Sequence, residues 1–307
     1  MSDAIDKTGN LAQAMEHAQQ LLDHDLQQAA LQLEEILAAV PDYVPAHFLK
    51  AVVLGQQQQG EQAIQALEKV LALDPNHPEA WRLLADHSAA IGDKAASESA
   101  YLRHLQSATG NPNLQQAAAA MIENELPTAE RILKSHLKNA PTDVAAIRML
   151  AEVAVRVGRN DDAQALLEYC LELTPGFSGA RYNLAVLLHR TNKSDDALRE
   201  VDQLLAEEPD RPGYRNLAAV VCSRIGEYER SSRLYQALLE EYPQNAKVWL
   251  SYAHVLKTEG KREACEAAYR GAIDRDERFG EAYWSLANLK TFRFSEQDIT
   301  NMQRQVA

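Results

Sequence analysis

Apolar and small residues recur along this chain at helical spacings, in runs of about a dozen residues that break at glycine, asparagine or proline. Leu150, Ala151, Ala163, Leu167 and Cys170 form one such set. Leu184, Ala185, Ala197, Val201 and Leu204 repeat it 34 residues later, and Ala253, Cys265, Tyr269 and Ala272 fall in the same register with Trp249 and Tyr252 beside them. Prolines keep the same beat, standing at 141, 175, 209 and 243, and at 41 and 75 upstream. Each interval holds two amphipathic stretches with a break at Gly158, Asn192 or Gly260. Glycine, and next best asparagine, accepts the left-handed backbone that ends a helix. The pattern predicts an all-α chain built from one helix pair per period, a helical repeat array.

Proline closing a 34-residue helix-turn-helix unit, with small residues at the helix crossings, resembles the tetratricopeptide repeat. The resemblance implies a right-handed superhelical solenoid of antiparallel helix pairs, about eight pairs and a partial ninth. Residues 1–41 read as an N-terminal capping repeat, with Ala29, Leu33 and Ile36 in register behind a Gln- and His-rich first helix. Residues 42–277 read as the tandem array, in which "GQQQQG" is a solvated turn. No proline stands 34 residues after Pro75, so the period is expected to slip at Thr109–Asn113, the expected bend. Residues 278–307 read as a partial ninth repeat, with Tyr283, Leu286 and Ala287 in register, and the start of a linker helix. Ser295 and Asp298 signal that helix, Ile299 and Met302 begin its apolar stripe, and the sequence ends inside it. The expectation is a fragment of a longer polypeptide with a further C-terminal domain.

The chain has 307 residues, 46% hydrophobic and 24% charged, with a net charge of −13. That acidic balance argues against nucleic acid as a partner, because phosphate binding is driven by clustered Lys and Arg. Cys170, Cys222 and Cys265 are too widely spaced for a metal or redox motif and fall on apolar helix faces, which predicts buried thiols in a reducing compartment. The polar start "MSDAIDKTGN" and the absence of an 18-residue apolar run predict neither export nor a membrane span, so the expected address is cytoplasmic.

No phosphate loop, dinucleotide fingerprint, zinc-protease helix or nucleophile elbow occurs, and the nine histidines are scattered, so no catalytic residue, metal ligand or cofactor is assigned. The acid pairs Asp161–Asp162 and Asp195–Asp196 open helices, where capping and the helix dipole explain them. Binding is the expected chemistry. In arrays of the resembling type the first helices line a groove, which here carries Arg82, Asp86, Arg148, Glu152, Tyr182, Asn183, His189, Tyr214, His254, Lys257, Trp284 and Asn288. Aromatic, amide and ionic groups on one face suit a protein segment or extended peptide. Tyr182 and Tyr214 have a second reading, packing between repeats. The carboxylate clamp of chaperone-binding arrays needs Lys, Arg and Asn from three consecutive units; Arg148 and Asn183 could contribute to one, but the set is not completed here, so an acidic chaperone tail is not the expected ligand. Arg148→Ala and Asn183→Ala are therefore expected to leave melting nearly unchanged, whereas Ala163→Leu and Ala197→Leu overpack a helix contact.

The segment "GEAYWSLANLKTFRFSEQDITNMQ" resembles the junction in bacterial tetratricopeptide-repeat proteins that carry a sulfotransferase domain after the repeats; its most specific part is Trp284–Phe294. "DPNHPEAWRLLADHSAAIGDKAASESAYLRHL" and "GARYNLAVLLHR" are also similar to that family. The resemblance implies a transferase using an adenosine phosphosulfate donor, with this chain as its protein-interaction or substrate-presenting arm. The donor's Gly- and Ser-rich loop has no counterpart here, so the piece by itself is expected to be inactive. The alternative is a stand-alone scaffold for assembling a protein complex, and self-association is a third possibility.

Overall fold

A computed structural model of the protein describes residues 2–22, 24–289 and 292–306, with side chains from 11 to 304 apart from 23, 290 and 291. Met1, Asp23, Lys290, Thr291 and Ala307 lie outside it, so two residues of the Trp284–Phe294 segment and the last residue of the chain are outside the described residues.

Every element among the described residues is an α-helix. In chain order they are α1 (Ser2–Leu21), α2 (Leu26–Ala39), α3 (Val44–Gln56), α4 (Gly60–Leu73), α5 (Pro78–Ala90), α6 (Lys94–Ala108), α7 (Pro112–Ile122), α8 (Leu126–Asn139) and α9 (Val144–Arg156). There follow α10 (Asn160–Leu173), α11 (Ser178–Arg190), α12 (Ser194–Glu207), α13 (Pro212–Ile225), α14 (Tyr228–Glu241), α15 (Ala246–Thr258), α16 (Arg262–Arg275), α17 (Gly280–Ala287) and α18 (Glu296–Val306). The chain divides into two compact units, one of Met1–His87 with Lys94–Ser135, the other of Ser88–Asp93 with His136–Ala307.

Within the second unit each helix from α9 to α17 packs on the next. Short turns between long contacting helices force antiparallel pairs. The first unit repeats this for α1 to α4 and for α6 with α7. Crossings are close because the residues facing each other are small: Ala151, Ala163, Ala185 and Ala197 are wholly buried. Leu167, Cys170, Leu184, Leu187 and Val201 fill the core between α9 and α13, and Cys265, Tyr269 and Leu286 fill it between α15 and α17. All three cysteines are buried thiols.

Helix starts locate the change of period. α3, α5 and α7 begin at 44, 78 and 112, in step, as do α9, α11, α13, α15 and α17 from 144 onward. The expected slip at Thr109–Asn113 is therefore absent; the chain loses two residues later, and α7, with 11 residues, is two shorter than α5 or α9. Thr109 stands in the proline place without shifting the register, because the turn needs a carbonyl there and not the proline ring. Asn192, Gly158 and Gly260 have positive φ as their spacing predicts, and Gln58 adopts the same conformation inside the glutamine run.

That carbonyl explains a rule hidden in the sequence. The fourth residue of each first helix repeatedly reaches back six residues. Trp81 Nε1 donates to Pro75 O at 2.8 Å, Gln115 Nε2 to Thr109 O at 2.8 Å, Arg181 Nη2 to Pro175 O at 2.7 Å and Trp249 Nε1 to Pro243 O at 2.9 Å, while His47 Nε2 is hydrogen-bonded with Pro41 O at 2.7 Å. Carbonyls just past a helix end lack helical partners, so unlike side chains serve as one cap because each carries an N–H at the right reach. Trp249→Phe keeps most of the ring and deletes the donor. It is expected to lower stability by about 0.5–1.5 kcal/mol in urea unfolding; no change would mean that Arg275 Nε, which donates to the same carbonyl, satisfies it without the indole.

First helices α7, α9 and α15 are capped by a side chain: Asn111 accepts from the amide of Asn113, Asp143 from those of Ala145 and Ala146 at 3.1 Å, and Asn245 from those of Lys247 and Val248. The acid pairs behave differently from expectation. Asp161–Asp162 and Asp195–Asp196 lie in the first turns of α10 and α12, but neither helix has a side-chain cap, so the dipole alone accounts for them. At α18, Ser295 and Asp298 form the reciprocal cap the sequence signals, and both oxygens of Asp298 take the Arg270 fork at 2.5 and 2.9 Å. That fork holds the Asp298 carboxyl well below the usual range.

Candidate functional site

In the second unit the first helices come together, since α11 touches both α9 and α13 across the repeats. Four residues singled out in the sequence meet there. Arg148 Nη2 on α9 donates to Asn183 Oδ1 on α11 at 3.3 Å, and the Tyr182 and Tyr214 rings lie 5.7 Å apart. Glu152, one turn beyond Arg148, accepts from Arg156 Nε at 3.0 Å.

Arg148 is deeper than a groove residue was expected to be. It is 7% exposed, and its guanidinium lies 5.5 Å from the Phe177 ring centre. Gly179 makes room for it: a Cβ there would stand 2.7 Å from Arg148 Nη1. Burial pushes its pKa down to about 10, with Glu152 pulling the other way, so the side chain stays a cation at neutral pH. This corrects the expectation that Arg148→Ala leaves melting unchanged. Tyr214 is also buried, its hydroxyl accepting from Arg211 Nη1 at 2.8 Å with that guanidinium over its ring. Packing between repeats describes Tyr214, and Tyr182, half-buried against the same core, presents only part of its ring.

Further along, His189 on α11 is half-buried, and His254 and Lys257 on α15 are exposed. The His254 ring meets Tyr269 edge-on at 5.6 Å. Covering on that side lowers its pKa, Glu281 opposes the shift and Lys257 adds to it, so the ring is neutral at pH 7. Trp284 on α17 is 68% exposed, unusual for an indole, and Asn288 beside it is exposed. Arg82 and Asp86 belong to α5, whose Arg82 Nε donates to Glu79 at 2.7 Å. Both residues belong to the first unit.

Two contributors escaped the sequence reading. Arg156 holds Glu152, and its signal was the spacing of four from that acid. Arg211 lies in the turn before α13, where no repeat position marks it. The buried thiols are poor nucleophiles: burial pushes Cys170 up to about 11 and Cys222 up to about 12. Among the described residues no cluster of His, Cys, Asp and Glu could hold a metal ion, and no helix is long and apolar enough to cross a membrane.

A tetratricopeptide-repeat family model matches residues 20–86, 54–122 and 154–221, and a second such model matches 246–279. No curated protein matches the sequence. Among solved structures, MamA 41-end from Desulfovibrio magneticus RS-1 is similar at 13% identity over 54% of this chain and 94% of its own, with a TM-score of 0.51. MamA of strain AMB-1 is similar at 18% identity over 54% of this chain and 99% of its own, with a TM-score of 0.50. At these identities the likeness is one of fold.

Proposed function

Because the chain belongs to the tetratricopeptide-repeat family, we propose that it is a protein-interaction scaffold that holds an extended polypeptide segment along the first helices of its second unit. The observation that carries this reading is the lateral meeting of α9, α11 and α13, which sets Glu152, Tyr182 and Asn183 side by side around the buried Arg148. The described pairs and rings have the geometry of recognition: an amide, a carboxylate–guanidinium pair and an aromatic edge, spaced along helices with no convergent nucleophile and base. Trp284 and Asn288 extend the same kind of chemistry at α17, with His189, His254 and Lys257 between. Buried thiols suit a reducing compartment, and a cytoplasmic address is part of the proposal.

The narrower expectation, an arm presenting substrates to a sulfotransferase that uses an adenosine phosphosulfate donor, rests on a sequence resemblance whose most specific part is Trp284–Phe294. The family models and the similar solved structures concern repeats only, which favours the scaffold.

Peptides selected from an unbiased displayed library should bind the purified protein, and Tyr182→Ala combined with Trp284→Ala should weaken an enriched peptide about tenfold or more by fluorescence anisotropy. Both side chains have exposed surface to lose, so thermal unfolding serves as the control for folding. Binding that ignores this pair but responds to substitutions on α10 or α12 would reject the groove.

A further inference from the structure

The second unit sorts its charge by helix. The first helices α9, α11, α13, α15 and α17 carry eight Lys and Arg against two carboxylates, a net of plus six. The second helices α10, α12, α14 and α16 carry six against fifteen, a net of minus nine. In the first unit α3, α5 and α7 carry two of each sign, so the sorting is not a general property of the repeat. A chain of net charge −13 therefore gathers positive charge on the helices proposed to hold the ligand.

Three of the eight cations are already paired with acids off their own helix: Arg181 with Glu200, Arg215 with Glu241 and Lys247 with Asp93. Lys257 and Arg190 are exposed, and Arg156 and the buried Arg148 share the single carboxylate of Glu152 on their helix. Positive potential at such a face is strengthened by the low-dielectric helices behind it, while the acidic second helices repel anions from the other side.

We infer that the segment held by the second unit is acidic: an extended peptide with several Asp or Glu residues that lies across α9 to α17. The inference rests on the groove proposed above and adds the sign of its ligand. Acidic side chains would meet Lys257, Arg190 and Arg156, and backbone amides would have Asn183 and Glu152 as partners. Electrostatic complementarity of this kind selects partners and speeds encounter more than it tightens the final complex, so binding should fall steeply with salt.

The test uses the full chain and three fluorescein-labelled peptides of equal length, one Glu- and Asp-rich, one neutral and one Lys-rich, all sharing a central Leu and Tyr. An oligothymidylate serves as a polyanion without a peptide backbone. The expected result is that the acidic peptide binds about tenfold or more tighter than the neutral one at low salt, and that Lys257→Glu with Arg190→Glu removes most of that preference. Glu172→Lys on α10 should leave it in place. Equal binding of acidic and neutral peptides, with sensitivity to Tyr182→Ala retained, would overturn the charge inference and leave the groove standing. Failure of all three peptides to bind would remove both. Oligothymidylate binding as tight as the acidic peptide would overturn the inference in favour of a general polyanion surface. An acidic peptide indifferent to the two reversals would overturn it by placing the contact elsewhere. A rise in mass with concentration that the acidic peptide fails to reverse would identify a second copy of this chain as the occupant and overturn it too.

Discussion

Glu241→Ala is expected to destabilise the fold by about 3–5 kcal/mol, the usual cost of leaving one partner of a buried ion pair without the other. Arg215 and Glu241 join the start of α13 to the end of α14, and their side chains are 10% and 3% exposed. Arg215 also donates to Asp210 O at 3.0 Å, so part of its hydrogen bonding survives removal of the acid, but its charge does not find another acid on that carbonyl. Desolvation of both groups was already paid in forming the pair, and truncation removes only the attraction. Replacing both residues with apolar side chains of similar volume, Arg215→Met with Glu241→Leu, should recover stability to within about 1 kcal/mol of the parent, since such exchanges are commonly neutral or better. Urea unfolding of the single and double variants checks this. A single-variant loss under about 1 kcal/mol would show the pair to be reached by water and worth no more than a surface bridge.

Nothing in the one-dimensional pattern announced that pair. Arg215 occupies the fourth place of its helix, where tryptophan, histidine, glutamine and arginine alternate elsewhere, and no composition rule links such different residues. What they share is an N–H at a fixed reach from a carbonyl, a three-dimensional property. Helices, pairing and small-residue crossings were legible because a 34-residue period imposes the same burial on each unit: Ala163 and Ala197, or Leu167 and Val201, meet the same surroundings. The period change was misplaced because proline was read as the marker of register, whereas Thr109 fills that place and the deletion falls inside α7. Groove residues were legible as positions and not as depths. Arg148 and Lys257 occupy comparable faces of α9 and α15, yet the first is buried behind Phe177 and Gly179 while the second meets solvent. Burial depends on the neighbouring repeat, and a spacing rule carries no information about a neighbour's side chain.

Ala163→Leu is expected to cost about 1–3 kcal/mol, because the added atoms must enter a crossing already closed at packing density. Ala163 on α10 and Ala151 on α9 are both wholly buried, and Ala197 repeats the arrangement one unit later, so Ala197→Leu should cost a similar amount. Arg148→Ala makes the informative comparison. It opens space beside Phe177 and takes the donor from Asn183, which predicts a loss of about 1–2 kcal/mol where the sequence pattern predicts none. Arg148→Met restores the stem without the charge and should recover most of that loss, since the desolvated cation is itself a burden. Unfolding midpoints in urea, read with the slopes, separate these cases. Overpacking and cavity effects should move the midpoint at constant slope, whereas a changed slope would mean that one repeat unfolds apart from its neighbours. A neutral Ala163→Leu would mean that α9 and α10 can separate without penalty, and a groove that depends on fixed spacing between successive first helices would then have no rigid support.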